Sequence, residues 1–249
     1  MHSKPVVLIT GASRGLGYAM AEAFLAEGCQ VVGASRQAGD SAQIDWVTTD
    51  VKDGDSRASL LSHIQEKYGR LDVLINNAGR GMYETMEAST EEDTRDLFEL
   101  NVLSLIAMTR LCLPLLKQSK GTIINTDSVA GKMPIACMGI YCATKYAVAA
   151  ISDTLRIELK PHGIHVINLI VGRIATGFSN YSAGGKIPPD SPDLGPAPTA
   201  AGLAKAVIKA WKKRRNQVIY PFWYRLVILI PRIMPGLWAR KNRRMWGLD

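Results

Sequence analysis

The chain has 249 residues, 47% of them hydrophobic and 21% charged, enough to bury one sizeable core as a single globular domain. Its net charge of +8 sits at one end: from Lys209 onward there are 11 Lys or Arg against one acidic residue, Asp249, while the preceding body holds 19 basic and 21 acidic residues, a net of −2. That asymmetry disfavours a nucleic-acid partner for the body, and four cysteines (Cys29, Cys112, Cys137, Cys142) without a C-x-x-C pair argue against zinc and disulfides, so no metal site is expected. No secretory apolar segment precedes the first predicted strand, and a reducing, cytoplasmic setting is expected.

Residues 5–10 (P-V-V-L-I-T) form a short, β-branched apolar run suited to a buried parallel strand. It leads into Gly11-Ala12-Ser13-Arg14-Gly15-Leu16-Gly17 and a helical stretch, 18–27, ended by Gly28. Strand, glycine turn and helix N-terminus together make a diphosphate cradle, because glycine permits close backbone approach and unpaired helix amides attract anions. The second strand, 30–35, ends at Ser35-Arg36, where an NAD-binding fold places a carboxylate against the ribose 2′-hydroxyl. No carboxylate is there. Arg36 and Arg14 instead offer two cations to a 2′-phosphate, with Ser13 or Ser35 as donors, so NADP(H) is favoured over NAD(H). A short segment without helical periodicity, 37–44, predicts an abbreviated crossover to the third strand, 45–49, after which Asp50-Val51 can meet an adenine edge. A helix over 53–68 is stopped by Gly69, and the strand 71–75 ends in Asn76-Asn77-Ala78-Gly79 at the strand end where open α/β sheets bind ligands.

A single long helix is predicted over 90–117, with Glu91, Glu92 and Asp93 at its start, Asn101 inside it, and Pro114 bending or ending its last turn. The strand 121–125 delivers Ser128. Thirteen residues later, Tyr141 and Lys145 are spaced four apart, which places them on one face of a helix running to about 160. An ammonium beside a phenol favours the phenolate and draws its pKa down from about 10, toward a range useful for general acid/base work. A Ser128 hydroxyl reaching the same oxygen polarises a carbonyl with two donors, as reduction of a ketone requires. Ala143, Ala147, Ala149 and Ala150 are small enough for close packing with another helix, including one from a second subunit. A sixth strand, 164–171, precedes Gly172-Arg173-Ile174-Ala175-Thr176. The Gly- and Pro-rich stretch 177–199 suits a substrate lid, and a helix over 200–213 and a last strand over 218–220 complete the body.

The conjunction of Thr10 through Gly17, Asn76 through Gly79, Asn101, Ser128, Tyr141 and Lys145 resembles the short-chain dehydrogenase/reductases, in order and spacing, over residues 5–220. The resemblance implies a single-domain Rossmann-type α/β fold, a doubly wound seven-stranded parallel sheet with helices on both faces. It implies Tyr141 as general acid/base, Lys145 lowering the Tyr141 pKa and holding the nicotinamide ribose, Ser128 orienting the carbonyl, and Asn101 supporting a proton-relay water near Lys145. Gly11, Gly15 and Gly17 would line the diphosphate, Asp50 and Val51 the adenine, Asn77 with Ala78 and Gly79 the nicotinamide side, and Gly172, Ile174 and Thr176 the carboxamide or diphosphate. One departure is Val171-Gly172 where the family has proline before the glycine, expected to loosen that loop; the other is the short segment after Arg36.

Residues 1–220 thus read as a dinucleotide-binding catalytic domain and 221–249 as an extension. The apolar run 222–230 is shorter than the about 20 residues a spanning helix takes, and Pro231 and Pro235 interrupt it. Three readings are open for it: a peripheral helix on anionic lipid, an element packed on the body or across a dimer, and, third, a nucleic-acid arm, which is disfavoured because it would leave so many large aliphatics exposed. The expected activity is NADP(H)-dependent interconversion of a ketone and a secondary alcohol on an apolar small molecule, by a homodimer or homotetramer, with Met82, Tyr83, Met133, Ile135 and Met138 near the pocket. The rival is a non-catalytic cofactor-binding scaffold of the same fold.

Overall fold

The computed structural model describes residues 4–186 and 198–248. Seven strands, β1 Val6–Thr10, β2 Gln30–Ser35, β3 Asp45–Thr48, β4 Val73–Asn76, β5 Thr122–Ser128, β6 His165–Val171 and β7 Gln217–Tyr220, form one sheet in the order β3-β2-β1-β4-β5-β6-β7. Every pair is parallel. Side chains alternate across the strands, so both faces are covered. Val7 and Ile9 pack with Met20 and Phe24 of α1 (Gly15–Ala26) and Leu203 and Val207 of α6 (Ala200–Lys212). Val6 and Leu8 pack on the other side with Leu60 and Ile64 of α2 (Gly54–Tyr68) and Met108 and Leu116 of α4 (Ser104–Ser119). Strand order reverses between β1 and β4, which opens a crevice at their carboxyl ends.

Local sequence explains the ends. Asp53 caps α2 by accepting from the Ser56 amide, and Gly69 closes it at φ 63°, a left-handed conformation that costs glycine nothing. The segment between β2 and β3 holds no helix, as its lack of periodicity predicts. β5 runs on to Ser128, three residues past its predicted end.

The predicted single helix over 90–117 is instead three pieces: α3 (Glu91–Phe98), a π-helical turn (Glu99–Leu103) and α4. Asn101 lies in the wide turn, which turns its amide onto the backbone of Arg80. Pro114 does not end α4, which continues through Ser119. This helical run is the one long and apolar enough to cross a membrane among the described residues, but half of it is buried within the fold, as a core helix is. Of the alanines on α5 (Gly139–Glu158), Ala149 is buried inside the chain, whereas Ala143 and Ala150 are exposed.

The extension forms α7 (Tyr224–Val227), α8 (Ile230–Ile233) and α9 (Pro235–Trp246) and docks on the body. Tyr224, Val227, Ile228 and Trp238 pack against Val129, Met133 and Ile170, and the Trp238 indole donates to the Pro134 carbonyl at 2.7 Å. The loop at Val171-Gly172 is not loosened. Val171 pairs with both Ser128 and Tyr220, and a Cβ at Gly172 would stand 2.3 Å from the Tyr224 ring, so the glycine is what lets the extension lie down.

Candidate active site

The crevice at the switch point is braced from both sides. Asn77 donates to the carbonyls of Thr10 and Gly11, and the Thr10 hydroxyl accepts the amides of Asn77 and Ala78, each within 3.1 Å. Gly11 and Gly15 hold φ of 65° and 58°, and a Cβ on Gly17 would lie 2.1 Å from the Gly11 carbonyl oxygen, so the loop folds onto itself in a way only glycine allows. Arg14 caps α1 without a side-chain hydrogen bond and no acidic residue occupies the first turn, which leaves the leading amides for an anion. Thr176 faces Gly15, its Cβ 3.7 Å from where a Gly15 side chain would start. These residues fit the diphosphate of a nicotinamide dinucleotide.

Other predicted cofactor residues are placed less uniformly. Arg36 is exposed at the end of β2 and Ser13 is half-buried in the glycine loop, whereas Ser35 is buried with its hydroxyl given to the Gln37 carbonyl. Arg14 lies with its guanidinium 3.7 Å over the Tyr181 ring. The Asp50 carboxylate accepts the Lys52 amide, and Val51 is buried with its carbonyl held by Arg57. Ala78 and Gly79 follow β4, Gly79 against the Asn101 side chain, and Ile174 is partly buried against the core layer that holds α1 and α6. Of the predicted lid, 187–197 lies outside the described residues. Its first part crosses the site: Phe178 stands 6.1 Å from the Tyr141 ring, and Ala183 bonds to Gly81 and Tyr83.

Ser128, Tyr141 and Lys145 converge. Ser128 ends β5, and its hydroxyl is within hydrogen-bonding reach of the Tyr141 phenol. The Lys145 ammonium lies 5.8 Å from the centre of the Tyr141 ring and donates to the Thr126 carbonyl at 2.8 Å. Asn101 does not join them directly. Its amide nitrogen donates to the Arg80 carbonyl at 2.9 Å and to Thr144 at 3.2 Å, and its oxygen accepts the Arg80 amide.

The electrostatics differ from the sequence expectation in sign. Burial pushes the Tyr141 phenol above its ordinary pKa, and the Ser128 hydroxyl, not Lys145, is the main group drawing it back. The amine is itself desolvated, which lowers it from 10.5 to about 8. A charge four residues away is visible in sequence; the apolar enclosure that outweighs it is not. Met82, Leu97, Ala130 and Cys142 pack around the phenol, with Ile135 and Met138 beside them, whereas Met133 is turned into the layer under the extension.

Asp127 was not singled out by the sequence reading. It is 1% exposed, accepts the Ser128 amide at 2.7 Å and the Asn168 side chain at 3.0 Å, and burial raises its pKa from 3.8 to about 6. A carboxylate among the β-branched residues of β5 was the available signal. Its negative charge holds the Lys145 ammonium up against desolvation. Asp127→Asn therefore moves the Lys145 titration below about 8, readable by lysine-selective NMR; an unchanged or raised midpoint contradicts the coupling. Asn168 has an unpartnered side-chain oxygen beside it, so it can turn to meet the new amide.

An open hollow of 630 Å³ lined by Lys4, Gln30, Asp45 and Lys67 lies at the opposite, amino-terminal edge of the strands, away from these groups.

Comparison with known proteins agrees with this geometry. A family model described as short chain dehydrogenase matches residues 5–184. The short-chain dehydrogenase ptmH of Penicillium ochrochloron is 32% identical over 261 residues, covering 93% of this chain and 95% of that protein. The 3-ketodihydrosphingosine reductase of Bacteroides thetaiotaomicron is 34% identical over 177 residues, 70% of this chain and 66% of that one. A short chain dehydrogenase from Burkholderia cenocepacia, solved in complex with NADP, superposes with a TM-score of 0.82 at 25% identity, over 96% of this chain and 98% of its own.

Proposed function

Because the chain belongs to the short-chain dehydrogenase/reductase family of nucleotide-binding oxidoreductases, we propose that it is an NADP(H)-dependent enzyme interconverting an apolar ketone and its secondary alcohol. The observation that carries this reading is the convergence of the Ser128 hydroxyl and the buried Tyr141 phenol at the carboxyl edge of the sheet, in an apolar enclosure. A phenol whose pKa is raised stays protonated at neutral pH and donates to a carbonyl oxygen. The Ser128 hydroxyl donates to the same oxygen as its negative charge develops, and the surrounding Met82, Leu97 and Ala130 exclude water that would weaken both bonds. Lys145, held close to its own titration point by burial, supplies positive charge behind the phenol when the proton has left. The bound dinucleotide supplies the reducing equivalent as a hydride from its nicotinamide ring.

The NADP(H) assignment rests on Arg36 just after β2, on Arg14 in the glycine loop, and on a β2 end without a carboxylate. An apolar substrate is supported by the side chains around Tyr141 and by a relative named for reduction of 3-ketodihydrosphingosine. Ala143, Tyr146, Ala150 and Ile157 lie exposed along one face of α5 and support a homodimer or homotetramer. All four cysteines are free and buried, which suits a reducing compartment such as the cytoplasm.

A panel of apolar ketones followed by NADPH absorbance tests the reaction; turnover of small polar sugars alone rejects the substrate class. On the best substrate, Arg36→Asp weakens NADPH binding by about tenfold or more and leaves NADH nearly unchanged, as expected for one lost charge-assisted contact to a 2′-phosphate. Equal effects on the two dinucleotides remove the assignment.

A further inference from the structure

Residues 221–248 hold Arg225, Arg232, Arg240, Lys241, Arg243 and Arg244, all exposed, and not one carboxylate. Their inner face is docked: besides the packing of Tyr224 and Trp238, the Asn242 side chain accepts the Ala136 amide at 3.1 Å, and Trp246 lies 6.2 Å from Tyr83. Their outer face is apolar. Phe222, Leu226, Leu229, Ile233 and Leu237 make an apolar stripe along the sequence through three short helices and are 41 to 73% exposed, with Met234 among them. Scattered aliphatics on a surface are ordinary; six large exposed apolar side chains between 222 and 237, interspersed and followed by cations, mark a surface that meets something.

We propose that this face lies on an anionic lipid surface, with the stripe entering the boundary between headgroups and acyl chains and the arginines and lysine meeting lipid phosphates. Charge decides between lipid and a second copy of the chain. In a two-fold pair each face meets itself, so the six cations of one copy would approach the six of the other with Asp249 the one acidic side chain on each extension to offset them. A negative surface complements both the stripe and its rim. The short helices, broken at Pro231 and Pro235, lie along a surface rather than across a bilayer. Since the inner face of the same extension covers the 129–136 segment that follows Ser128, attachment sets one wall of the catalytic crevice against the lipid.

The full-length chain is sedimented with vesicles of phosphatidylcholine alone or with about one-third phosphatidylglycerol. The expected result is binding to the anionic vesicles only, weakened by salt. Leu226→Glu/Ile233→Glu lowers the partition coefficient about a hundredfold, because each aliphatic withdrawn from water contributes about tenfold. Arg240→Gln/Lys241→Gln lowers it about tenfold. All four positions are exposed and outside the catalytic crevice, so circular dichroism and melting temperature stay unchanged. Equal binding to neutral and anionic vesicles, or no binding to either, overturns the proposal. So does a light-scattering dimer that Leu226→Glu/Ile233→Glu dissociates without vesicle binding, which would make the stripe an interface between copies.

Discussion

Tyr141→Phe lowers turnover about a thousandfold, within the range that loss of a positioned proton donor costs, while dinucleotide affinity measured by fluorescence titration changes by no more than about twofold. The substitution removes one hydroxyl and keeps the ring, whose contacts with Met82, Cys142 and Phe178 account for the packing. Folding is therefore retained, and because removing a desolvated hydroxyl from an apolar enclosure costs little, the melting temperature holds or rises slightly. What is lost is the proton that Ser128 cannot replace, since the serine hydroxyl also accepts the Ala130 amide at 3.1 Å and is not paired with a base. The result also separates an enzyme from a scaffold of the same fold. A scaffold keeps its cellular activity in the Phe variant, and retention of turnover would remove Tyr141 from the chemistry.

Gly17→Ala is the second large effect, and it works through the loop rather than the reacting atoms. The new methyl would stand 2.1 Å from the Gly11 carbonyl oxygen and 2.7 Å from the Asn77 side chain that bridges β1 and β4. The nearest atom is backbone, which does not rotate aside, so α1 and the glycine loop separate. Dinucleotide affinity falls by about a hundredfold, the cost of one or two charge-assisted hydrogen bonds to the diphosphate, and the melting temperature drops as Met20 and Phe24 of α1 lift from Val7 and Ile9. Gly28→Ala is the control. Unlike Gly17 it has positive φ, at 80°, but a Cβ there meets nothing within 4 Å, so it costs local strain without loss of dinucleotide binding. Equal affinity in Gly17→Ala and the parent protein would mean that the loop is not the cradle.

Much of the frame could be read from residues because the local signals and the fold agree. Asp53, Gly69 and the β-branched run before Gly11 each mark an element end that the coordinates reproduce. That Tyr141 and Lys145 share one helix face followed from their spacing, whereas their assembly with Ser128 into one site was what the family resemblance implied. Three things were not legible. The π-turn at Asn101 inserts one residue's worth of width into a helix whose 3.6-residue periodicity is otherwise continuous, so pattern alone reads through it. The sign of the Tyr141 pKa depends on desolvation by Met82, Leu97 and Ala130, which come from three separate segments. The extension's inner and outer faces are set by what Tyr224 and Trp238 find on the body, namely the space above Gly172 and the carbonyl of Pro134. Asp127 is a different case: its carboxylate stood in plain view one residue before Ser128, and only its burial made it part of the site.

The most direct measurement is isotope transfer from NADPH deuterated at nicotinamide C4 to an apolar ketone. With the parent protein, mass spectrometry should find deuterium on the carbinol carbon of the product alcohol, and with Tyr141→Phe that signal should fall in step with turnover. Cofactor oxidation that leaves the alcohol unlabelled, or labelling that the Phe variant sustains at the parent rate, contradicts a reaction run by this phenol.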